Sequence, residues 1–351
     1  MQIVEAGSPE WEAVYDQIPP AARDVFHDPA FARVCSETIN DGARVAAAIY
    51  SGDDTVILYP FVVRTIGDVT GHSEISEGCF DIVGLYGRGG MLCISGDGDT
   101  LTEFHTAFAD WCRSEKIICA FDRYHPMLEN QCFASDDGQV FDVGSFVVVD
   151  LRPDIGDVEA NFRHSMRKAI RKGDRAGVTV EVREDLEGLD TFLSIYHGTL
   201  DRNGARPFYY FSESFYRAIA REMQGRFAFY YGSVDGQVVT CELVLFSGHF
   251  GHSYLGGTCD AAFQASANQI LKRQILRDLK NRGCEYFLLG GGQRPDDGVY
   301  RYKAAYAPDG ARPSYIGGTV FMPDEYESLR RRMQAHDLPI SSERFQFYDA
   351  G

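Results

Sequence analysis

The stretch RFAFYYGSVDGQVVTCELVLFSGHFGHSYLG, residues 226–256, decides the fold class. Its apolar and aromatic residues fall into three short runs with brief interruptions, which predicts neighbouring, hairpin-like strands. A long helix at 263–282 and another strand at 285–290 are predicted directly after it. Because hairpins and helices occur together, we expect an α/β protein whose sheets are mixed rather than purely parallel.

A similar order of elements precedes and follows residue 150. At 351 residues the chain is longer than one average core, which favours two domains. The proline and acidic residues of DLRPDIGD interrupt the pattern at the join. We therefore expect two tandem domains, residues 1–152 and 153–320, with the C-terminal segment 320–351 completing the first. The remaining predictions are helices near 8–18, 28–38, 100–115, 157–175, 186–202 and 212–224, and strands at 45–50, 55–64, 117–123, 139–150 and 178–183.

Composition restricts the class of partner. The formal net charge is −17, so nucleic acid and anionic membranes are repelled on average, and an anion must be met by a local patch. Apolar residues make up 44% and aromatic residues 13% of the chain, which excludes disorder. The nine cysteines show neither a C-x-x-C pair nor metal-ligand spacing, so we expect reduced thiols and no metal site. Without a secretory signal or an apolar span, the predicted location is cytoplasmic.

The segment NFRHSMRKAIRKGDRAGVTVEV, residues 161–182, concentrates positive charge. On a helix, residues four apart share one stripe, and apolar residues such as Phe162, Met166 and Ile170 gather on the opposite side. A solvated helix face is one interpretation. Repulsion between like charges in an otherwise acidic protein favours the other, a site for phosphates, a nucleotide or RNA backbone. The six basic residues are Arg163, Arg167, Lys168, Arg171, Lys172 and Arg175.

Two glycine-rich segments are candidate contact loops. LLGGGQRPDDGVYRYKAAYAPDG, residues 288–310, is neither a P-loop nor a dinucleotide fingerprint, and no helix is predicted directly after its glycines. It is either a flexible connection or a ligand loop. Its aromatic and cationic residues, which suit a base plus a phosphate, are Tyr300, Arg301, Tyr302 and Lys303. LYGRGG at 85–90 is either a turn or an exposed loop that presents Tyr86 and Arg88.

Two carboxylates are candidate catalytic groups. Glu242 lies in the apolar strand CELVLF, where its charge must be compensated. Asp81 stands beside the first-domain glycine loop as a candidate general base, with a strand-end or turn carboxylate as the alternative. His252 is expected to be structural.

Six short motifs follow one another along the chain: YPFVVR (59–64), DIVGLYGRGGML (81–92), FDRYHPMLEN (121–130), RKAIRKGDRAGVTV (167–180), GARPFYYFSESFY (204–216) and LGGGQRPDDGVYRYKAAYAPDG (289–310). In this order they resemble the Fem family, the aminoacyl-tRNA-dependent aminoacyltransferases built from two GNAT-like domains, and related acetyltransferase-domain proteins. The resemblance implies tandem GNAT-like acyltransferase domains. Because no long heptad stretch occurs, no coiled-coil arm is expected.

The resemblance implies transfer of an aminoacyl group from the 3′ end of tRNA to an amine of a peptide, a cell-wall precursor or a natural product. Tyr302 would stack on the terminal adenine, and Lys303 would support the tRNA end and the developing oxyanion. Arg301 and the basic helix would meet donor phosphates. The predicted acceptor-binding residues are Tyr86, Arg88, Gly291 and Gly292. Aminoacyl-tRNA would be a co-substrate, with neither a tightly bound cofactor nor a stable protein partner.

Two alternatives stay open. GNAT enzymes that use acyl-CoA carry an R/Q-x-x-G-x-G/A turn whose amides hold the pyrophosphate at a helix N-terminus. This chain has TCDAAFQASAN at that place, 258–268, without those glycines, which disfavours CoA. An N-acyltransferase that uses acyl-CoA or an acyl carrier, in polysaccharide or natural-product biosynthesis, is the first alternative. A non-catalytic module that binds a nucleotide or an RNA end is the second.

Overall fold

The computed structural model describes residues 1–52, 54–76, 78–95, 98–292, 294, 297–342 and 344–349. The chain divides into two compact units. Unit 1 comprises Met1–Pro19, Phe26–Val143 and Ser314–Gly351, and unit 2 comprises Pro20–Val25 and Gly144–Pro313. The predicted domain ends at 152 and 320 differ from Val143 and Pro313 by nine and seven residues and stay a prediction. Within the described part of the chain, no helix has the length and apolarity needed to cross a membrane.

Unit 1 is built on a mixed sheet with the strand order β1-β2-β3-β4-β6-β13 and β5 beside β3. β4 and β6 are parallel, and the other recorded pairs are antiparallel. The strands are β1 Gln2–Glu5, β2 Arg44–Ser51, β3 Val56–Thr65, β4 Phe80–Val83, β5 Leu92–Ile94, β6 Ile117–Arg123 and β13 Ala311–Val320. The helices are α1 Pro9–Gln17, α2 Pro29–Val34, α3 Ile66–Thr70, α4 Ser73–Ser76, α5 Gly98–Ser114 and α13 Pro323–Ala335.

Aromatic side chains fasten α5 to this sheet. Phe104 and Phe108, which the helical spacing places on one side, are both buried. The Phe108 ring lies edge-on to Tyr59 and Phe61 of β3, with ring centroids 5.3 and 5.6 Å apart. Such contacts add to the burial of apolar area that holds a helix on a sheet.

The strands of unit 2 follow the order β7-β12-β11-β10-β9-β8. Only β11 and β12 pair in parallel among its described pairs. The strands are β7 Gln139–Asp150, β8 Thr179–Arg183, β9 Phe227–Val234, β10 Gln237–Ser247, β11 Phe250–Thr258 and β12 Tyr286–Gly290. The helices are α6 Ile155–Asn161, α7 His164–Arg175, α8 Leu189–Arg202, α9 Glu213–Glu222, α10 Asp260–Ala265, α11 Ala267–Asn281 and α12 Gly298–Ala304.

The predicted single helix at 157–175 is wrong, because the chain breaks between α6 and α7. Phe162 and Arg163 have extended backbone dihedrals, and the buried Phe162 ring packs edge-on against Tyr306 at 5.4 Å. The Arg167 guanidinium donates hydrogen bonds to the carbonyls of Ala160 and Phe162, which satisfies groups left open at the end of α6. The predicted helix at 263–282 is likewise interrupted, at Ser266, whose φ is +56°.

Gly173 lets α7 lie close to α11. A Cβ atom at this position would stand 2.4 Å from Ile270 Cγ1 and 3.1 Å from the Ser266 carbonyl oxygen. Alanine there forces the two helices apart. A Cβ at Gly198, an exposed position inside α8, has nothing within 4 Å.

We expect Gly173→Ala to lower the free energy of unfolding by about 1–3 kcal/mol through overpacking. Gly198→Ala is the matched control and should raise it by up to about 1 kcal/mol, because alanine favours a helix interior. Urea unfolding of both variants measures the difference. A gain in stability for Gly173→Ala would contradict the close approach of α7 and α11.

Candidate functional site

A buried ion pair occupies the place where β11 and β12 part. The two strands pair only from Phe250–Tyr286 to His252–Leu288. Beyond that point the Lys272 ammonium of α11 lies 2.6 and 2.5 Å from the two Glu242 oxygens and 2.9 Å from Ser253 Oγ. Glu242 and Lys272 are only 4% and 6% exposed, so each charge depends on the other. Lys272 is therefore the compensation that an acid in an apolar strand requires.

A second polar group lies one turn before Lys272 on α11. Asn268 Nδ2 donates to the Tyr302 hydroxyl at 3.0 Å, and that hydroxyl lies 3.0 Å from the Tyr306 hydroxyl. Burial raises the pKa of Tyr302 and of Tyr306, and the negative charge of Glu242 raises both further. Both phenols therefore stay neutral at physiological pH. Together with the ion pair they form what we call the polar cluster: Glu242, Ser253, Asn268, Lys272, Tyr302 and Tyr306.

The three consecutive glycines at 290–292, the glycine run, hold Lys303 in place. Its ammonium donates to the Gly291 carbonyl oxygen at 2.8 Å. Gly290 has a φ of +93°, and a Cβ there would come within 2.8 Å of the Lys303 nitrogen. A side chain at residue 290 would therefore suffer both backbone strain and a clash.

A helix, α12, begins within this segment at Gly298, six positions after Gly292. Asp297 caps α12 by accepting a hydrogen bond from Tyr300 N at 2.7 Å, and the helix carries Arg301, Tyr302 and Lys303. Gly292 lies directly against this cap, since a Cβ there would be 2.4 Å from Asp297 Oδ1. Gln293, Pro295 and Asp296 of the same predicted loop lie outside the described residues.

The basic segment and the late glycine segment, far apart in sequence, meet in unit 2. Arg163 N donates to the carbonyl of Ala305, the residue after α12, at 2.9 Å. The start of α7 is thereby joined to the end of the helix that carries Tyr302 and Lys303. Arg167 is half-buried and caps α6, whereas the remaining basic residues are exposed. We call these five the cationic face: Arg163, Lys168, Arg171, Lys172 and Arg175.

Two acids of this region form ion pairs with arginines outside the cationic face. Asp174 forms a two-pronged ion pair with Arg273 at 2.9 and 2.5 Å. Glu159 pairs with Arg277 in the same way at 2.6 and 3.0 Å. Both arginines belong to α11, so these pairs help to hold α6 and α7 on it. Among the described residues, no acidic side chain forms an ion pair with the cationic face, which leaves its charge available to an anion.

The carboxylate of Asp81 accepts hydrogen bonds from other residues of unit 1. The carboxylate is fully buried, and Arg64 donates to its two oxygens at 3.0 and 2.8 Å. Gln346 and Tyr348 each donate to Oδ2 at 2.7 Å. Two of these four hydrogen bonds tie the strand β4 to the C-terminal segment, and the two from Arg64 tie it to β3. This arrangement places Asp81 in the framework of unit 1.

For the loop at 85–90 the sequence left a turn and an exposed contact loop open, and the structure does not bear out the exposed loop. Tyr86 and Arg88 are both half-buried, and burial, followed by the nearby charge of Arg123, lowers the pKa of Arg88 to about 10. These two residues belong to unit 1, whereas Gly291 and Gly292 belong to unit 2. The assignment of the four to an acceptor site stays a prediction.

Sequence reasoning missed four members of the polar cluster: Ser253, Asn268, Lys272 and Tyr306. One signal was present. Lys272 interrupts the apolar side of α11 between Leu271 and Ile275, much as Glu242 interrupts its strand. Two opposite charges in otherwise buried positions indicate a pair. Ser253 and Asn268 carry no comparable signal, because small polar residues are common on any surface.

Comparisons with known proteins agree with this geometry. Residues 160–306 match the acetyltransferase (GNAT) domain family. The FemX crystal structure aligns with a TM-score of 0.69 at 14% identity, covering 93% of this chain and 99% of that one. L-PGS from Bacillus licheniformis aligns with a TM-score of 0.57 at 15% identity, covering 91% and 94%. No curated protein matches the sequence at a significant level.

A tandem GNAT protein from the clavulanic acid biosynthesis pathway also shares the fold. Its TM-score is 0.51 at 11% identity, with 91% of this chain and 98% of that one covered. The matched GNAT segment contains α7, α11, α12 and the whole polar cluster. The predicted resemblance is confirmed at the level of the fold: the chain shares its fold with FemX and with a tandem GNAT protein, and residues 160–306 match the GNAT acetyltransferase domain family.

Proposed function

We propose that the protein moves an aminoacyl group from aminoacyl-tRNA to the amine of a peptide, a cell-wall precursor or a natural product. One observation carries the proposal. The cationic face is joined to the polar cluster through the Arg163–Ala305 hydrogen bond and the Phe162–Tyr306 contact. A phosphate backbone on α7 would therefore lead towards Tyr302 and Lys303.

The extent of the cationic face favours a polynucleotide. α7 has 12 residues and is about 18 Å long. A nucleic-acid strand presents phosphates repeatedly over such a length. CoA presents only a pyrophosphate and one ribose 3′-phosphate. The net charge of −17 makes a local cationic surface the place where RNA meets least repulsion.

The backbone of the turn before α11 also favours aminoacyl-tRNA over acyl-CoA as the donor. In a pyrophosphate-binding turn the backbone amides must be directed at the ligand. Here Ser266 N donates back to the Phe263 carbonyl at 3.5 Å as α10 ends, so this amide has an internal acceptor. Acyl-CoA remains the second candidate donor because the GNAT acetyltransferase match covers this segment.

The proposed chemistry is aminolysis of an ester. The neutral acceptor amine attacks the carbonyl carbon, a C–N bond forms, and the C–O bond to the ribose breaks. The amine gives up one proton and the ribose oxygen takes one up, so atoms and charges balance. Lys303, oriented by the Gly291 carbonyl, stabilises the oxyanion that develops on the carbonyl. Glu242 has both oxygens on Lys272 and acts as a positioning residue rather than as a base.

Reversing the charge of two exposed residues on α7 tests the donor. We expect Arg171→Glu with Lys172→Glu to weaken tRNA binding at least about tenfold. The slope of log K against log salt should fall by roughly 1.4–1.8, since each lost phosphate contact removes about 0.7–0.9. Fluorescence titration of labelled tRNA without an attached amino acid, at several salt concentrations, measures both the affinity and the slope.

The control for this variant is Lys116→Glu with Arg331→Glu, which changes the net charge equally at exposed positions of unit 1. Its tRNA affinity should change much less than that of the α7 variant. Equal losses in the two variants would mean that total charge, and not the cationic face, governs binding.

The donor itself is identified by paired assays. Bulk tRNA charged with a labelled amino-acid mixture is incubated with the protein and a panel of amines, and labelled acetyl-CoA is tested in parallel. Amide formation from aminoacyl-tRNA alone supports the proposal. Amide formation from acetyl-CoA alone would replace tRNA with CoA as the donor and overturn it.

A further inference from the structure

Unit 1 contains a cavity of about 480 Å³ that the acyl-transfer proposal does not use. It lies beside α5, between the end of β6 and the segment 130–137. One part of its wall is apolar. The other part carries Tyr59, His105, Asp122 and Tyr124. The apolar residues are Met91, Leu101, Phe104, Phe108 and Phe133.

Asp122 is incompletely satisfied in this wall. Its Oδ2 accepts a hydrogen bond from the Tyr59 hydroxyl at 2.8 Å. Its Oδ1 is buried and has no hydrogen-bond partner among the described residues. A buried acceptor without a partner costs about 1–3 kcal/mol, and more when it is charged, so native structures rarely keep one without a use.

His105 presents a second buried acceptor to the same cavity. A hydrogen bond to the Phe133 backbone engages one ring nitrogen, while Nε2 is buried and unpartnered within the described structure. Since a backbone carbonyl accepts, the proton lies on Nδ1, and Nε2 of the neutral ring is an acceptor. Burial lowers the pKa of His105, which favours this neutral form.

Both unpartnered atoms are acceptors, and one belongs to an acid. Burial raises the pKa of Asp122 to about 6, against the opposing effect of the Tyr59 hydrogen bond, so the carboxylate is still largely ionised at pH 7. An ammonium group carries three donors, one positive charge and no acceptor, and so suits acceptors of this kind. A hydroxyl group would leave the charge of Asp122 uncompensated, and a carboxylate would be repelled.

We propose that this cavity binds a primary ammonium group on an apolar chain, with the ammonium on Asp122 Oδ1 and the chain against the phenylalanines of α5, while His105 Nε2 offers the ligand a further acceptor in the cavity wall. This assignment stands on unit 1 alone and does not depend on the identity of the acyl donor.

Calorimetric titration with n-hexylamine, n-hexanol and hexanoate tests the proposal. We expect hexylamine to bind in the millimolar range or tighter, and the other two to bind at least about tenfold more weakly because they cannot satisfy a charged acceptor. Asp122→Asn should weaken hexylamine binding about 10- to 100-fold, and Glu103→Gln, an exposed carboxylate of the same helix α5, should leave it unchanged.

The variant is expected to fold well, because it removes a buried, under-satisfied charge. The thermal midpoint of Asp122→Asn at pH 7 should equal or exceed that of the parent. This combination, unchanged or higher stability with lost amine binding, is not expected of a purely structural residue. Absence of hexylamine binding, equal binding of hexanol, or full binding by Asp122→Asn would each overturn the proposal.

Discussion

Replacing Lys303 by methionine is expected to reduce acyl transfer by about 10²–10³-fold, the usual cost of removing one donor from an oxyanion site. The physical reason is that Lys303 is the cation fixed beside the glycine run, with its ammonium 2.8 Å from the Gly291 carbonyl. Methionine keeps most of the apolar stem and removes the charge. Single-turnover transfer of a labelled aminoacyl group measures the effect directly.

Two comparisons separate this role from a structural one. Lys303→Arg keeps the charge and should recover part of the rate, while tRNA affinity should change little in either variant. Lys116→Met, which removes an exposed lysine of unit 1, should transfer at the parent rate. If Lys303→Met retained the parent rate, the proposed oxyanion stabilisation would be wrong.

The second large effect is on stability. Lys272→Met should lower the free energy of unfolding by about 3–5 kcal/mol, because it leaves the Glu242 charge buried without its partner. The double variant Glu242→Gln with Lys272→Met should recover much of that loss, since no ion then remains to be desolvated. Urea unfolding of the parent, both single variants and the double variant gives the coupling energy of the pair.

The double variant also distinguishes a role in folding from a role in catalysis. If the ion pair positions the polar cluster for transfer, the refolded double variant should be stable but slow. A double variant with parental stability and parental transfer would assign the pair to folding alone. The transfer rate of Lys116→Met in the same assay is the control for both outcomes.

Much of the architecture follows from local patterns. The strand runs in 226–256 and the helical spacing of Phe104 and Phe108 depend only on neighbouring residues, and both occur as predicted. The break at Phe162 depends instead on a ring contact with Tyr306, 144 positions along the chain (306 − 162). No local pattern contains such a contact, and a helix was therefore predicted through the break.

The same distinction between local patterns and distant contacts explains which site residues could be predicted from the sequence. Tyr302 and Lys303 stand out as aromatic and cationic residues behind a glycine run, and the resemblance gives them their roles. Glu242 stands out through its unfavourable position in an apolar strand. Lys272 could be matched to Glu242 only by knowing that α11 covers the point where β11 and β12 part. Asp81 looked available because its partners Gln346 and Tyr348 lie more than 260 positions away and give no sign of it in sequence.

The anchoring of α7 at both ends has a consequence for how binding energy is used. Its start is tied to Ala305, and its later turns fit against Ile270 through Gly173. A ligand that attracts the cationic face therefore cannot move this helix without straining contacts to α11 and α12. Binding energy from contacts to distant phosphates can thus help to hold Lys303 at the reacting carbonyl. A donor fragment that lacks those phosphates would then lose turnover as well as affinity.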